Sequence, residues 1–315
     1  MTLAPNLARL AGAVASALSI AALSAGMANA ACASFSASNI QVTYDPLGTN
    51  AQFALTAPFT MMATSVSSAH QPDTKSLTAQ LVDINPSVGG LHRVGNGGPL
   101  FHILSSGTDV VVSASDPIMP ANVFTVIFPS TGSSSGLASL QFWIDANQDV
   151  PAGAYSTALD VRYLCHNDSH DSNANQTQPG VLPITVMVPS SVRATLAGGS
   201  TTGSIDFGDF SELSKSVNVN VRSTGPFTIA ATSDNGGVMK MKADGTGASG
   251  ANTRIPYSVT LDGQAFTLGG PGQRFGRTGL GGTSIPLSVQ IQSVQANRSG
   301  IYNDHIVLTI TPLGA

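Results

Sequence analysis

Beyond residue 30, apolar positions alternate with polar ones in short runs, each bounded by Gly, Pro, Asn or Asp. A period of two puts successive side chains on opposite faces of an extended backbone, so each run predicts a strand and each boundary a turn. In the first half the predicted strands are Ile40–Tyr44, Gln52–Leu55, Thr78–Asp83, Asp109–Ser113, Phe124–Phe128, Leu137–Ile144, Tyr155–Cys165 and Val181–Val188. In the second half they are Arg193–Leu196, Ser216–Val221, Phe227–Ala231, Met239–Met241, Tyr257–Leu261, Ile285–Val294 and His305–Thr311. Helical periodicity is scarce. Many short strands at this spacing predict an all-β chain of two immunoglobulin-like β-sandwich domains, residues 31–189 and 190–315, with the boundary at Pro189-Ser190-Ser191.

The two halves share a punctuation. Gly153-Ala154-Tyr155 and Gly300-Ile301-Tyr302 each precede a long alternating strand, which suggests an internal duplication. Tyr155 and Tyr302 read first as structural residues that hydrogen-bond back across a sandwich corner. The halves then diverge. After the first punctuated strand comes a polar loop and a further strand, Val181–Val188; after the second, only three residues follow Pro312. This predicts a C-terminal sandwich lacking its last strand, with unpaired backbone and an apolar groove that a partner must fill. Ile306, Leu308 and Ile310 are the expected groove residues, with Ala194 and Leu196 opposite them.

Residues 1–30 have the form of a secretory signal peptide: Arg9, an Ala/Leu-rich stretch from Leu10 to Ala25, then Ala28-Asn29-Ala30 as the cleavage site. Cys32 lies just beyond, so lipid attachment is an alternative, although Asn29 stands where a lipid-attachment box carries Leu. The only other cysteine is Cys165. In an oxidising compartment the pair is expected to bond, and closing so long a loop stabilises by about 4–5 kcal/mol in the chain-entropy model. Charged residues are 10% of the chain, with a net charge of −4 and no basic run, which argues against nucleic acid as a partner.

Enzymatic signals fail on context. Gly132-Ser133-Ser134-Ser135-Gly136 has the letters of a nucleophile elbow, but a strand-like segment follows where a helix is needed. Gly269-Gly270-Pro271-Gly272 opens no helix and is no phosphate cradle. Carboxylates are scattered, and no cofactor is called for. His166, Asp168, His170 and Asp171 are of ligating type, but their spacing matches no established metal site and the loop reads as solvated.

In order along the second half, Ile205-Asp206-Phe207-Gly208, Val217-Asn218-Val219-Asn220-Val221, Gly225-Pro226-Phe227-Thr228-Ile229, Ile255-Pro256-Tyr257-Ser258-Val259 and Gly300-Ile301-Tyr302-Asn303-Asp304 resemble the spore coat protein U domain of archaic, Csu-type chaperone–usher pilus subunits. The first half shares mainly Val42-Thr43-Tyr44-Asp45-Pro46 and the Gly153–Cys165 segment. The family's disulfide between its first two strands has no counterpart, because Arg222 or Ser223 occupies the matching place. The resemblance implies a strand supplied first by a periplasmic pilus chaperone, then by the adjacent subunit at the outer-membrane usher. It also implies an extracellular pilus and a role in attachment or biofilm formation. A subunit that accepts a strand and donates none sits at the fibre tip, which is the expectation here. Two alternatives are a shaft subunit with a short donor arm at Ala31–Ala37, and a free-standing secreted or spore-coat structural protein with self-complemented sandwiches.

A tip adhesin needs a surface that touches an abiotic or host surface. Apolar residues in turn-like contexts are the candidates: Phe59, Met61 and Met62 after Pro58, Gly98-Pro99-Leu100-Phe101, and Ile118 and Met119 before Pro120. Adjacent Met61 and Met62 cannot both face inward on a strand.

Overall fold

A computed structural model describes residues 31–66, 74–86, 90–117, 120–129, 134–166, 176–242, 253–294 and 299–314. Ile118, Met119, Asp168, His170 and Asp171 lie outside them. The described residues are nearly all strand, with single 3-10 turns at Pro120–Asn122 and Ala197–Gly199. None of their helices is long and apolar enough to cross a membrane.

The first sandwich is built from β1 (Ala33–Ala37), β2 (Ile40–Thr43), β3 (Leu55–Ser65), β4 (Ser76–Asp83), β5 (His102–Ser105), β6 (Thr108–Asp109), β7 (Val111–Ser113), β8 (Phe124–Ile127), β9 (Ser135–Ile144), β10 (Gly153–His166) and β11 (Gln176–Val188). One sheet runs β1-β3-β9-β5-β6; the other runs β2-β11-β10-β4-β7, with β8 also on β4. Alternation explains the packing. Leu159, Val161, Tyr163 and Cys165 of β10 face Leu140, Phe142 and Ile144 of β9, and all are buried in one cluster with Leu182, Ile184 and Val186 of β11. Each such side chain contributes about 1.5–3 kcal/mol on burial.

The chain switches sheets between β1 and β2, and the last strand closes the fold. β11 lies between β10, antiparallel, and β2, parallel. Cys32 is bonded to Cys165, fastening the start of β1 to the end of β10. Tyr163 Oη donates to the Ala33 carbonyl at 2.8 Å. The free edge of β1 is covered by a side chain: the Gln178 amide accepts from Phe35 N–H at 2.7 Å and donates to Phe35 C=O at 2.9 Å. Gln148 treats Leu100 the same way, at 2.7 and 2.9 Å. An amide in this role occupies backbone groups that would otherwise invite another strand.

The second sandwich comprises β12 (Val192–Leu196), β13 (Ser214–Ser223), β14 (Phe227–Ser233), β15 (Val238–Met241), β16 (Arg254–Leu261), β17 (Gln264–Phe266), β18 (Gln273–Phe275), β19 (Gly279–Ile291), β20 (Tyr302–Asn303) and β21 (Ile306–Pro312). Its larger sheet runs β12-β13-β19-β16-β15-β20, with β17 on β16; its smaller sheet is β18-β14-β21. The hydrophobic core here shares no residue with that of the first sandwich.

Between the sandwiches, Thr224 Oγ1 donates to Pro189 C=O at 2.7 Å and accepts from Ser191 N–H at 2.8 Å. Ala152 N–H donates to Thr224 C=O at 2.8 Å. Arg277 pairs with Asp149, whose carboxylate also accepts from Leu280 N–H at 3.1 Å.

Several expectations change. Pro58-Phe59-Thr60-Met61-Met62 is no turn but the middle of β3. Met61 is fully buried there and Phe59 packs partly buried against the core. Met61 therefore offers no exposed adhesive surface and Phe59 only part of its ring, because strand alternation turns both inward. Phe101 is likewise buried, so the Gly98–Phe101 patch is core and not surface. Phe35-Ser36-Ala37 is built into β1 and pinned at Cys32, so it is no free donor arm. The Cys32 sulfur is consumed in the disulfide, which removes lipidation on it.

Candidate strand-acceptor groove

β21 is paired on one side only. It runs antiparallel to β14 from Phe227↔Pro312 to Ser233↔Ile306, and no described residue forms a ladder with its other edge. Its counterpart in the first sandwich shows what that leaves open. Measured from Gly153 and Gly300, Leu159 matches Ile306, Val161 matches Leu308 and Tyr163 matches Ile310. β10 has β4 on one side and β11 on the other, and its inward residues are fully buried. Ile306, Leu308 and Ile310 face inward in the same alternation but remain only partly buried.

The open space is a cleft of about 570 Å³. Ile306 and Leu308 form one wall. Leu196 and the run from Thr201 to Ile205, with Phe207, form the other. Val217, Met239, Tyr257, Leu287 and Val289 lie on the floor. Residues 202–207 carry no strand pairing, although they hold the place that β2 holds in the first sandwich, just after the strand of the opposite sheet. In the first sandwich β2 gains its ladder from β11; here no described strand stands between residues 202–207 and β21. Two segments without a strand partner on this side, β21 and residues 202–207, line the cleft.

Of the expected groove residues, Ile306, Leu308 and Leu196 line the cleft. Ile310 lies further along β21, and Ala194 packs on β12 opposite Val221, outside the lining. The 201–207 wall and the polar end at Asp304 fall outside the expected groove: alternation in the first is confined to Ser204–Phe207, and the second is polar. The letters Asp304 within Gly300–Asp304 were the available signal.

Asp304 closes one end of the cleft. Its carboxylate accepts from Ser233 Oγ and Tyr257 Oη, both at 2.6 Å, from Asn235 Nδ2 at 3.0 Å and from His305 N–H at 2.8 Å. Burial opposes its charge, but the hydrogen bonds from Ser233, Tyr257, His305 and Asn235 outweigh that and hold its pKa below the usual carboxylate value. Burial, then the hydrogen bond to Asp304, pushes the Tyr257 phenol well above its ordinary value. Tyr302, whose ring meets Phe210 edge-on at 6.4 Å, lies at the same end. Tyr155 makes the corner bond expected of it, donating to Pro151 C=O at 2.9 Å.

At the opposite end of the first sandwich from Pro189–Ser191, Met62 is 41% exposed, and its cross-strand partner Leu137 is 65% exposed. Ile127, opposite Ser76 at that end, is 72% exposed. Among the described residues no group of three His, Cys, Asp or Glu could hold a metal ion.

No protein-family model matches the chain, and no curated protein matches it. Solved structures do. The chaperone–tip subunit pre-assembly complex CsuC–CsuE of the archaic chaperone–usher Csu pili of Acinetobacter baumannii is 11% identical over 88% of this chain and 100% of that chain, with a TM-score of 0.45. The CfaE adhesin of CFA/I from enterotoxigenic Escherichia coli is 12% identical over 88% and 92%, with a TM-score of 0.41. The CupB6 tip adhesin of Pseudomonas aeruginosa is 14% identical over 88% and 94%, with a TM-score of 0.38. At these values the likeness is remote.

Proposed function

We propose that this protein is an exported pilus subunit whose second sandwich is completed by a strand from another protein. The observation that carries this reading is the unpaired edge of β21 over an apolar cleft, beside an intact sandwich where β11 fills the corresponding place. Strand addition there gives main-chain hydrogen bonds on two sides, to β21 and to residues 202–207, while alternate side chains enter the cleft. A periplasmic chaperone supplies the strand first, and the adjacent subunit replaces it at an outer-membrane usher. Residues 1–30 act as the export leader.

The tip position is favoured by β1, which is locked into the first sandwich and not available for donation. In that position the first sandwich is the attachment module, and its exposed apolar end at Met62, Leu137 and Ile127 meets the abiotic or host surface. The test is production of residues 31–315 alone and with a donor. A second sandwich that unfolds readily alone and is stabilised by a pilus chaperone or an alternating apolar peptide is the expected result. A stable monomer indifferent to both supports a free-standing coat protein instead.

A further inference from the structure

An apolar cleft without its strand has a physical problem: its walls gain by collapsing together, since nothing but water separates them. The middle of this cleft is lined mainly by apolar side chains, among them Leu196, Val217, Met239, Leu287 and Leu308, which make no polar bond between the two sheets. Its end at Asp304 differs. Tyr257 belongs to β16 in the larger sheet and Ser233 ends β14 in the smaller one; Asp304 lies at the crossover between them, directly after β20 of the larger sheet and separated by one residue from β21 of the smaller. Its carboxylate accepts from Tyr257 Oη of the larger sheet and from Ser233 Oγ of the smaller, both at 2.6 Å, so the chain of bonds Tyr257–Asp304–Ser233 spans the two sheets. Ser233 Oγ in turn accepts from Gly237 N–H at 2.9 Å and Asn235 N–H at 3.1 Å, so the turn between β14 and β15 is tied into the same knot. The first sandwich, where β11 itself sets the spacing, carries Thr157 at the matching place.

Resting on the strand-acceptor reading, we infer that Asp304 is a positioning residue for strand capture: its bonds to Tyr257 and Ser233 together hold the two sheets at the spacing of a receptive groove before the donor arrives. Charge-assisted hydrogen bonds are short and about twice as strong as neutral ones, which suits a clamp that acts without the strand. Pre-organisation of this kind speeds docking and leaves the contacts of the docked strand alone.

The probe is a labelled synthetic peptide of Gln176–Val188, the segment that fills the equivalent position in the first sandwich and contains no titratable side chain. It is presented to residues 31–315 and to the variants Tyr257→Phe, Asp304→Asn and Asp304→Ala, with association and dissociation rates read separately. Tyr257→Phe removes one hydroxyl and keeps the ring, so the fold survives. Its association rate falls by roughly tenfold, the equivalent of one charge-assisted bond, with dissociation nearly unchanged. Asp304→Asn retains a carbonyl acceptor and falls between wild type and Asp304→Ala. The double variant Tyr257→Phe/Asp304→Ala is no slower than Asp304→Ala, because both remove the same contact. Association at the wild-type rate in Tyr257→Phe and Asp304→Ala overturns the inference and leaves the groove standing. Failure of the wild-type chain to take the peptide, with its β21 amides already protected from exchange, overturns the groove reading itself.

Discussion

Truncating the same position in the two sandwiches separates a filled groove from an open one. Leu159 and Ile306 stand equally far past Gly153 and Gly300, on strands of matching role. Leu159 is fully buried, with β11 paired beside it, so Leu159→Ala leaves an enclosed cavity and costs about 2–5 kcal/mol. Ile306 is partly buried, and its neighbourhood opens to solvent. Ile306→Ala therefore loses only part of a transfer free energy and encloses no void, about 1–2 kcal/mol. Once a donor strand covers Ile306 the penalty rises to the Leu159 range. The difference of roughly 1–3 kcal/mol then weakens donor affinity by about fivefold to over a hundredfold. Urea unfolding followed by Trp143, the one tryptophan, reports the first sandwich, and hydrogen exchange across Phe227–Leu261 reports the second. If Ile306→Ala destabilises the free chain as much as Leu159→Ala and leaves peptide affinity untouched, the cleft is already closed and the reasoning fails.

Three other outcomes are expected. Reducing Cys32–Cys165, which spans 133 residues, removes about 5 kcal/mol from the first sandwich in the chain-entropy model, seen as a lower urea midpoint for Trp143 with the second sandwich unchanged. Acid weakens the second sandwich: because the folded-state pKa of Asp304 lies below its unfolded value, its contribution is whole above about pH 4 and is lost as pH falls through the folded value. Tyr257, Tyr302, Asp234 and His305 are titratable groups at that end, with His305 Nδ1 3.5 Å from Asp234; Asp304→Asn flattens the acid limb of a pH–stability curve. Met62→Ser with Leu137→Ser lowers attachment of piliated cells to hydrophobic surfaces at unchanged pilus number, whereas Phe59→Ser lowers stability of the first sandwich, as thermal unfolding would register.

Period-two alternation made most strands legible, since a half-buried strand must alternate whatever surrounds it. It failed where outward positions are also apolar. In β3, Ala57, Phe59, Met61 and Ala63 face in, but Pro58 and Met62 on the outer face blur the pattern. Proline is tolerated there because β1 covers only Met61–Ser65, leaving Pro58 on a stretch with one free edge. β1 escaped because its residues, Ala33-Ser34-Phe35-Ser36-Ala37, are small and its place depends on a bond to a cysteine far along the chain. The groove wall at β21 was readable from Ile306 and Leu308. The 201–207 wall was not, because its alternation covers only Ser204–Phe207 and no strand pairing marks it. Nor was the Asp304 clamp, whose partners Ser233, Asn235 and Tyr257 converge only through the fold.

Amide hydrogen exchange along Ile306–Pro312, set against Leu159–Cys165, tests the open groove most directly. Without a donor, the β21 amides that face away from β14 should exchange quickly while those of β10 stay protected. Addition of the Gln176–Val188 peptide or a pilus chaperone should then slow them to the β10 level. Slow exchange along β21 in the free chain, unaltered by either addition, would contradict a sandwich that waits for its strand.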